Sequence, residues 1–359
     1  MITRREFLGA SGALVSTSIL GGSAIARSRE PLDMLFLGGT GFIGPHQINH
    51  ALARGHRVAM FNRGRNAGLY GDAVEELVGN RDANVDDGLR ALASNRRWDV
   101  VVDNSGYVPR HVRDSVELLK DRCSRYIYVS TRGVYDFSKG ARVDESGPLL
   151  PAPEPYTEDT SGDYYGPQKA ECDRIVQREL GGKATILRPP YIVGPGDTTD
   201  RFTYWVERFH RGGDIVCPAG PDMEAQWIDA RDFCEFVIHL AENDTAGIFN
   251  VAGPASPMTN EELMLGLRAF ASAPTRLRWP TQDQLDAAGF DTLMFGSRPV
   301  SVHIEPARAV AAGLAYRSLA TTVRDTHDWW QSQPAERRAN PRRWPTAEQE
   351  QAVVAMLRR

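Results

Sequence analysis

Short apolar runs recur along the chain and alternate with segments of helical periodicity. Met34-Leu35-Phe36-Leu37 is apolar at every position and stops at Gly38, which reads as a strand buried on both faces. A helical pattern follows from about Phe42 to Arg54. Val58-Ala59-Met60-Phe61 reads as a second strand and Val100-Val101-Val102 as another, followed by a helix near Val108–Lys120. Tyr126-Ile127-Tyr128-Val129 is again a strand, and a helix over about Gly166–Leu180 precedes the strand Ala184-Thr185-Ile186-Leu187. Strands separated by helices predict an α/β fold, a doubly wound parallel sheet with helices on both faces. After Gly194 the pattern becomes irregular, as expected of a smaller C-terminal domain. The expected division assigns 33–193 to the sheet domain, with 226–252 returning to it, and 194–225 and 253–330 to the smaller one. Pro148–Pro155 reads as a proline-rich loop. Residues 331–359 read as a charged tail with a short amphipathic helix near Ala347–Leu357. Its arginines Arg337, Arg338, Arg342 and Arg343 read as a solvated run.

The first 26 residues read as an address rather than as part of the fold. Thr3-Arg4-Arg5-Glu6-Phe7-Leu8 carries paired arginines, a mildly apolar stretch follows, and Ala24-Ile25-Ala26 closes it. That order describes a cleavable twin-arginine signal peptide and implies contact with the export machinery and a periplasmic or extracytoplasmic mature protein. Gly9, Gly12, Gly21 and Gly22 are poor helix formers, which argues against a helix of the fold here.

Composition narrows the picture little further. With 42% hydrophobic and 25% charged residues the chain is ordinary globular protein. A formal net charge of −4 gives no basic field, so a nucleic-acid partner is not expected. Cys123, Cys172, Cys217 and Cys234 are widely spaced without a Cys/His cluster, so no metal site is expected.

The first motif with chemistry is Gly38-Gly39-Thr40-Gly41-Phe42-Ile43-Gly44, with glycines at 38, 41 and 44. It leaves a strand and opens a helix, the context in which backbone N–H groups and the helix N-terminus cradle a pyrophosphate. The loop is therefore expected to bind a dinucleotide. The second strand ends in Asn62-Arg63-Gly64-Arg65 without the acidic residue that would hold a ribose hydroxyl. Arginines there suit a 2′-phosphate, so the reading leans to NADP over NAD. Asn80 and Arg81 are candidates to lie along the adenine.

The second motif is a tyrosine four residues before a lysine. The chain has eleven tyrosines, and its only lysines are Lys120, Lys139, Lys169 and Lys183. Tyr135/Lys139 lies in loop composition, whereas Tyr165/Lys169 heads a helical segment that puts both side chains on one face. An ammonium beside a phenol favours the phenolate, which makes Tyr165 a candidate acid/base. Thr131, just after a strand, is placed to bind the same substrate oxygen.

Taken in order, the glycine loop, Ser130-Thr131-Arg132-Gly133-Val134-Tyr135, Tyr165-x-x-x-Lys169 and Leu187–Asp197 resemble the extended short-chain dehydrogenase/reductase superfamily, its NAD-dependent epimerase/dehydratase family. Gln226–Asp232 and Gly247–Gly253 agree with it, and the resemblance covers about residues 33–330. It implies a Rossmann domain with a small substrate domain and a catalytic set of Thr131, Tyr165 and Lys169, with Tyr165 and Lys169 also contacting the cofactor and Lys169 holding its ribose. It also implies that Asn104, Ser105 and Gly106 line the cofactor, that Pro190 and Tyr191 pass the nicotinamide, and that a homodimer is possible. Tyr107, Tyr135, Tyr191 and Trp227 are candidates to flank the substrate.

The departures concern chemistry. Dehydratases of the family place Asp-Glu after the catalytic threonine, where this chain has Arg132-Gly133. Nucleotide-sugar epimerases tend to carry an asparagine where Tyr191 stands, and an arginine where this chain has Glu224-Ala225-Gln226. The reading is therefore an epimerase, isomerase or oxidoreductase acting on a hydroxyl or keto group of a carbohydrate-like small molecule. Export argues for a cofactor retained between turnovers. The alternatives are a conventional NADPH-dependent reductase and a non-catalytic binding protein.

Overall fold

The computed structural model describes residues 30–295 and 302–358. The expected signal peptide lies outside them. Residues 31–359 form one unit. The first half of this unit runs β1 (Asp33–Leu37), α1 (Ile43–Ala53), β2 (Arg57–Asn62), β3 (Glu75–Val78), β4 (Trp98–Asp103), α2 (Pro109–Leu119), β5 (Cys123–Val129), the two-residue β6 (Arg142–Val143) and α3 (Tyr165–Leu180). It continues through β7 (Ala184–Arg188), β8 (Tyr191–Val193), α4 (Arg201–Arg211), β9 (Gly213–Val216), β10 (Trp227–Asp229), α5 (Ala230–Glu242) and β11 (Gly247–Asn250).

Seven of these strands form one sheet in the order β11-β7-β5-β4-β1-β2-β3, every pair parallel. The expected doubly wound α/β sheet is observed. Strand alternation sends neighbouring side chains of β1 to opposite faces. Met34 and Phe36 join a cluster with Ile48 of α1 and Phe233 and Val237 of α5. Leu35 and Leu37 join another with Val112 and Val116 of α2 and Cys172 and Ile175 of α3. Helices cover both faces, which is why the strands read as unbroken apolar runs.

A second body of core surrounds α4 and β9. It is completed by α6 (Asn260–Arg268), α7 (Gln282–Ala287), α9 (Leu319–Ser332) and α11 (Ala347–Met356), with β12 (Thr275–Arg278) paired to β9; β13 (His303–Ile304) pairs with β6, α8 (Ala307–Ala311) buries Ala309 in the α1/α5 cluster, and α10 (Ala335–Ala339) buries no residue. Phe202, Trp205, Phe209, Leu263, Leu285 and Val353 are among its buried residues. The helix expected near Ala347–Leu357 is α11, and of the arginine run Arg338, Arg342 and Arg343 are exposed. Val353 of α11 is fully buried, and Glu350 accepts from Tyr204 Oη at 2.7 Å and Arg208 Nε at 2.8 Å. Arg337 donates to Asp200 at 2.5 Å and stands 4.9 Å over the Trp330 ring.

Candidate active site

β1 is flanked by β2 on one side and β4 on the other, so the chain leaves it at the point where the strand order reverses. That is where an open parallel sheet has its ligand crevice. Gly38 turns there with φ +84°, a region that costs L-residues strain. A side chain at Gly39 would strike Met60 and Ile48, and one at Gly44 would lie 2.5 Å from the backbone of Gly39. Gly41 is the opposite case: a Cβ there meets nothing within 4 Å. The loop is closed at its back by packing and open at Gly41, with Thr40, Phe42 and Ile43 half-buried around the opening. The first turn of α1 carries no acidic residue, so the positive end of its dipole is uncancelled. The arrangement fits the pyrophosphate of a dinucleotide.

The end of β4 is tied to this loop. Asn104 N donates to Leu37 O and its Nδ2 to Gly38 O, both at 3.0 Å, and Ser105 Oγ donates to Leu37 O at 3.0 Å. Asn104 Oδ1 is buried without a hydrogen-bond partner, an acceptor that suits a ligand hydroxyl. On the other side of the crevice His46 Nε2 lies 2.8 Å from Pro195 O, which holds the 194–197 turn against the start of α1.

Several residues expected at the cofactor have partners within the protein. Arg81 forms a two-pronged pair with Asp103 at 2.7 and 2.9 Å and donates to Ser115 Oγ at 2.9 Å, beneath the β4 end rather than along an adenine. A buried carboxylate demands such a partner, and the sequence does not say which arginine supplies it. Asn80 accepts from Asp82 N at 3.1 Å, closing its own loop. Asn62 donates to Glu76 at 2.8 Å and accepts from Gly64 N, shaping the turn after β2. Arg63 and Arg65 remain exposed at that turn, with no carboxylate partner among the described residues.

Tyr165, the first residue of α3, lies in the crevice with Thr131 and Tyr107. Its ring centroid is 6.4 Å from that of Tyr107. Burial pushes its phenol up to about 12, against a hydrogen bond from Thr131 and the charge of Arg201, which both favour the phenolate. Lys169 lies one turn on, fully buried, and its Nζ donates to Gly106 O and Val129 O, each at 2.7 Å. Burial lowers its affinity for a proton. Thr131 and Arg201, not Lys169, are therefore the groups seen to ease Tyr165 ionisation in this state. A side chain at Gly106 would lie 2.7 Å from the Tyr128 ring, so the backbone can accept from Lys169 only because this residue is glycine.

Of the four aromatic candidates, two line the crevice and two do not. Tyr107 is nearly half exposed beside Tyr165. Tyr191 is half-buried on β8 just after the buried Pro190, with the guanidiniums of Arg132 and Arg201 at 4.9 and 5.1 Å from its ring. Tyr135 is corrected: it is buried, donates to Asn250 Oδ1 and accepts from Arg188 Nη1, both at 2.8 Å. Trp227 is corrected as well, being buried and stacked 6.2 Å from Phe202 in the second core.

Reading the sequence missed Gly166 and Arg201. A side chain at Gly166 would lie 2.5 Å from Gly133 O, so α3 reaches the Thr131 turn only because this position is bare. Gly166→Ala is expected to cost about 1–3 kcal/mol in urea unfolding, the usual price of overpacking, and to lower activity by displacing Tyr165. A stability unchanged within about 0.5 kcal/mol contradicts this close approach. Arg201 follows an irregular loop and has no motif around it.

A model of the NAD dependent epimerase/dehydratase family matches residues 34–252. The curated chloroplast stem-loop binding protein of 41 kDa b from Arabidopsis thaliana is 27% identical over 233 residues, 61% of this chain and 58% of that protein. The chain therefore spans a little over half the length of that relative. Among solved structures, the Bordetella bronchiseptica enzyme WbmG in complex with NAD and UDP matches with TM-score 0.64 at 16% identity, over 86% of this chain and 96% of that one. The UDP-glucuronic acid 4-epimerase from Bacillus cereus in complex with NAD matches with TM-score 0.60 at 15% identity, over 82% and 97%. At these identities the structural matches establish a shared fold.

Proposed function

This chain belongs to the NAD-dependent epimerase/dehydratase family, and we propose that it is an enzyme that oxidises and re-reduces a hydroxyl-bearing carbon of a carbohydrate-like substrate on a retained nicotinamide cofactor. The observation that carries the reading is the convergence of Thr131, Tyr165 and Lys169 on the crevice beside the open glycine loop. The Gly38–Gly44 loop and the α1 N-terminus would hold the pyrophosphate, and Asn104, Ser105 and Gly106 would line the site beyond it. When bound, the cofactor would supply a hydride acceptor and a positive charge in its oxidised form, and the hydride for re-reduction in its reduced form. Tyr165 Oη, as phenolate, takes the proton of the substrate hydroxyl and returns it on re-reduction, Thr131 Oγ1 orients the oxygen, and Lys169 holds the α3 turn against the ends of β4 and β5. The NAD in WbmG and in the Bacillus cereus epimerase supports the cofactor class.

Arg63 and Arg65 support a preference for NADP. Replacing both by alanine is expected to weaken NADP binding by more than about tenfold and leave NAD binding unchanged in calorimetric titration, because only the 2′-phosphate uses their charge. Equal losses for both nucleotides contradict the preference.

The paired arginines and Ala24-Ile25-Ala26 support export by the twin-arginine route, with the cofactor loaded before transport. Isolating the mature protein from the extracytoplasmic compartment, denaturing it and identifying the released nucleotide tests the whole reading. One equivalent of NAD or NADP supports a retained cofactor. An empty protein that binds NADPH reversibly supports a conventional reductase instead.

A further inference from the structure

We infer that Arg201, with Arg132 beside it, forms a receptor for an oxyanion on the substrate, so that the enzyme takes an acidic sugar derivative, a carboxylate or a phosphate monoester, in preference to a neutral one. The inference rests on the proposed catalytic crevice and names what enters it.

Arg201 opens α4 directly after a tightly held loop. Its Nε donates to Thr199 Oγ1 at 2.9 Å, which fixes the plane of the guanidinium and leaves both terminal nitrogens. Among the described residues no carboxylate forms an ion pair with it, although the residue is half-buried. A partly desolvated cation without a countercharge is unfavourable in the protein alone and becomes favourable when an anion arrives. A guanidinium fork held at Nε still presents two parallel N–H donors, the arrangement that recognises carboxylate or phosphate.

Position gives the cation its purpose. Arg201 and Arg132 both approach the Tyr191 ring, at 5.1 and 4.9 Å. Arg132 follows Thr131 in sequence, and its backbone N is anchored to Pro189 O at 2.8 Å. The charge of Arg201 is felt at the Tyr165 hydroxyl. Arg201 is therefore within electrostatic reach of the Tyr165 hydroxyl, on which the proposed chemistry turns.

The loop before Arg201 is built to hold it still. Asp200 is buried with φ +58°, a strained conformation for a residue other than glycine. It accepts from Arg337 at 2.5 Å and from Arg342 N at 2.7 Å, and its carbonyl accepts from Trp344 Nε1 at 3.0 Å. The C-terminal segment thus clasps the residue preceding Arg201. Strain sustained by three contacts next to a cation without a countercharge is the pattern of a binding group fixed in advance.

The test titrates the full-length, cofactor-loaded protein with glucuronate, glucose 6-phosphate and glucose, reading binding by calorimetry so that turnover is not required. At least one of the two acids is expected to bind about tenfold or more tightly than glucose. Which acid does so distinguishes carboxylate from phosphate. Arg201→Met is expected to remove that difference, and Arg201→Lys, which keeps the charge without the fork, to restore part of it. Tyr165→Phe is expected to keep the difference in full. Equal binding of acids and glucose, failure of all three to bind, or a preference that survives in a folded Arg201→Met protein overturns the receptor. Unchanged turnover in Tyr165→Phe overturns the catalytic reading and leaves the receptor standing.

Discussion

Tyr165→Phe is expected to lower turnover by about 100-fold or more while nucleotide binding stays unchanged. The magnitude follows from removing a general acid/base placed on the reacting oxygen. The selectivity follows from geometry, because the glycine loop closes on itself through Gly38, Gly39 and Gly44 without help from this ring. The pH dependence has a definite sign. Burial holds the phenol near 12 in this state, so phenolate is scarce at neutral pH and the rate of alcohol oxidation rises as pH increases. The hydrogen bond from Thr131 favours the phenolate, so Thr131→Val should move the rising limb to higher pH. Steady-state kinetics across pH, with nucleotide titration of the same variants, checks each part. A variant that keeps full turnover removes Tyr165 from the chemistry and favours the binding-protein reading.

The second large effect is on stability. Arg188→Met is expected to destabilise the fold by about 3–5 kcal/mol, because it leaves the Asp173 carboxylate buried and unpaired. Arg188 and Asp173 are both inaccessible and meet at 2.9 Å. Ser130 Oγ donates to the same carboxylate, and Arg188 Nη1 donates to Tyr135 Oη at 2.8 Å and Glu145 O at 3.1 Å. The network joins the ends of β5 and β7 to α3, which carries Tyr165 and Lys169. Adding Asp173→Leu to Arg188→Met should recover part of the loss, since both buried charges are then gone. Urea unfolding of the single and double variants measures this. A single-variant loss below about 1 kcal/mol would mean that the pair is not buried as described.

The same network explains where motif reading misplaced Tyr135. Its spacing from Lys139 and its place after Thr131 put it near the site in the chain. Its hydroxyl is instead satisfied by Asn250 and Arg188, residues 115 and 53 positions away. Trp227 was misplaced for a related reason. An aromatic on β10 beside Tyr191 of β8 shares that strand pair, yet it turns into the core with Phe202. Facing is decided by the packing of the second domain, to which the local residues contribute no distinguishing pattern.

What the sequence determined by itself is local. Unbroken apolar strands required a sheet covered on both faces, a glycine-rich turn between strand and helix required a close backbone approach, and a tyrosine one helical turn before a lysine put both on one face. Each statement depends on residues a few positions apart, where covalent geometry alone sets the spacing. The tertiary structure decided which polar groups were free to act. It turned Arg81 onto Asp103 and Tyr135 onto Arg188, and it brought Arg201 from an irregular loop to the Tyr191 ring. A buried charge or hydroxyl takes whichever partner the fold places within reach. Thr131 and Tyr165 could be named from their motifs, whereas Arg201 is identified only when its surroundings in the fold are known.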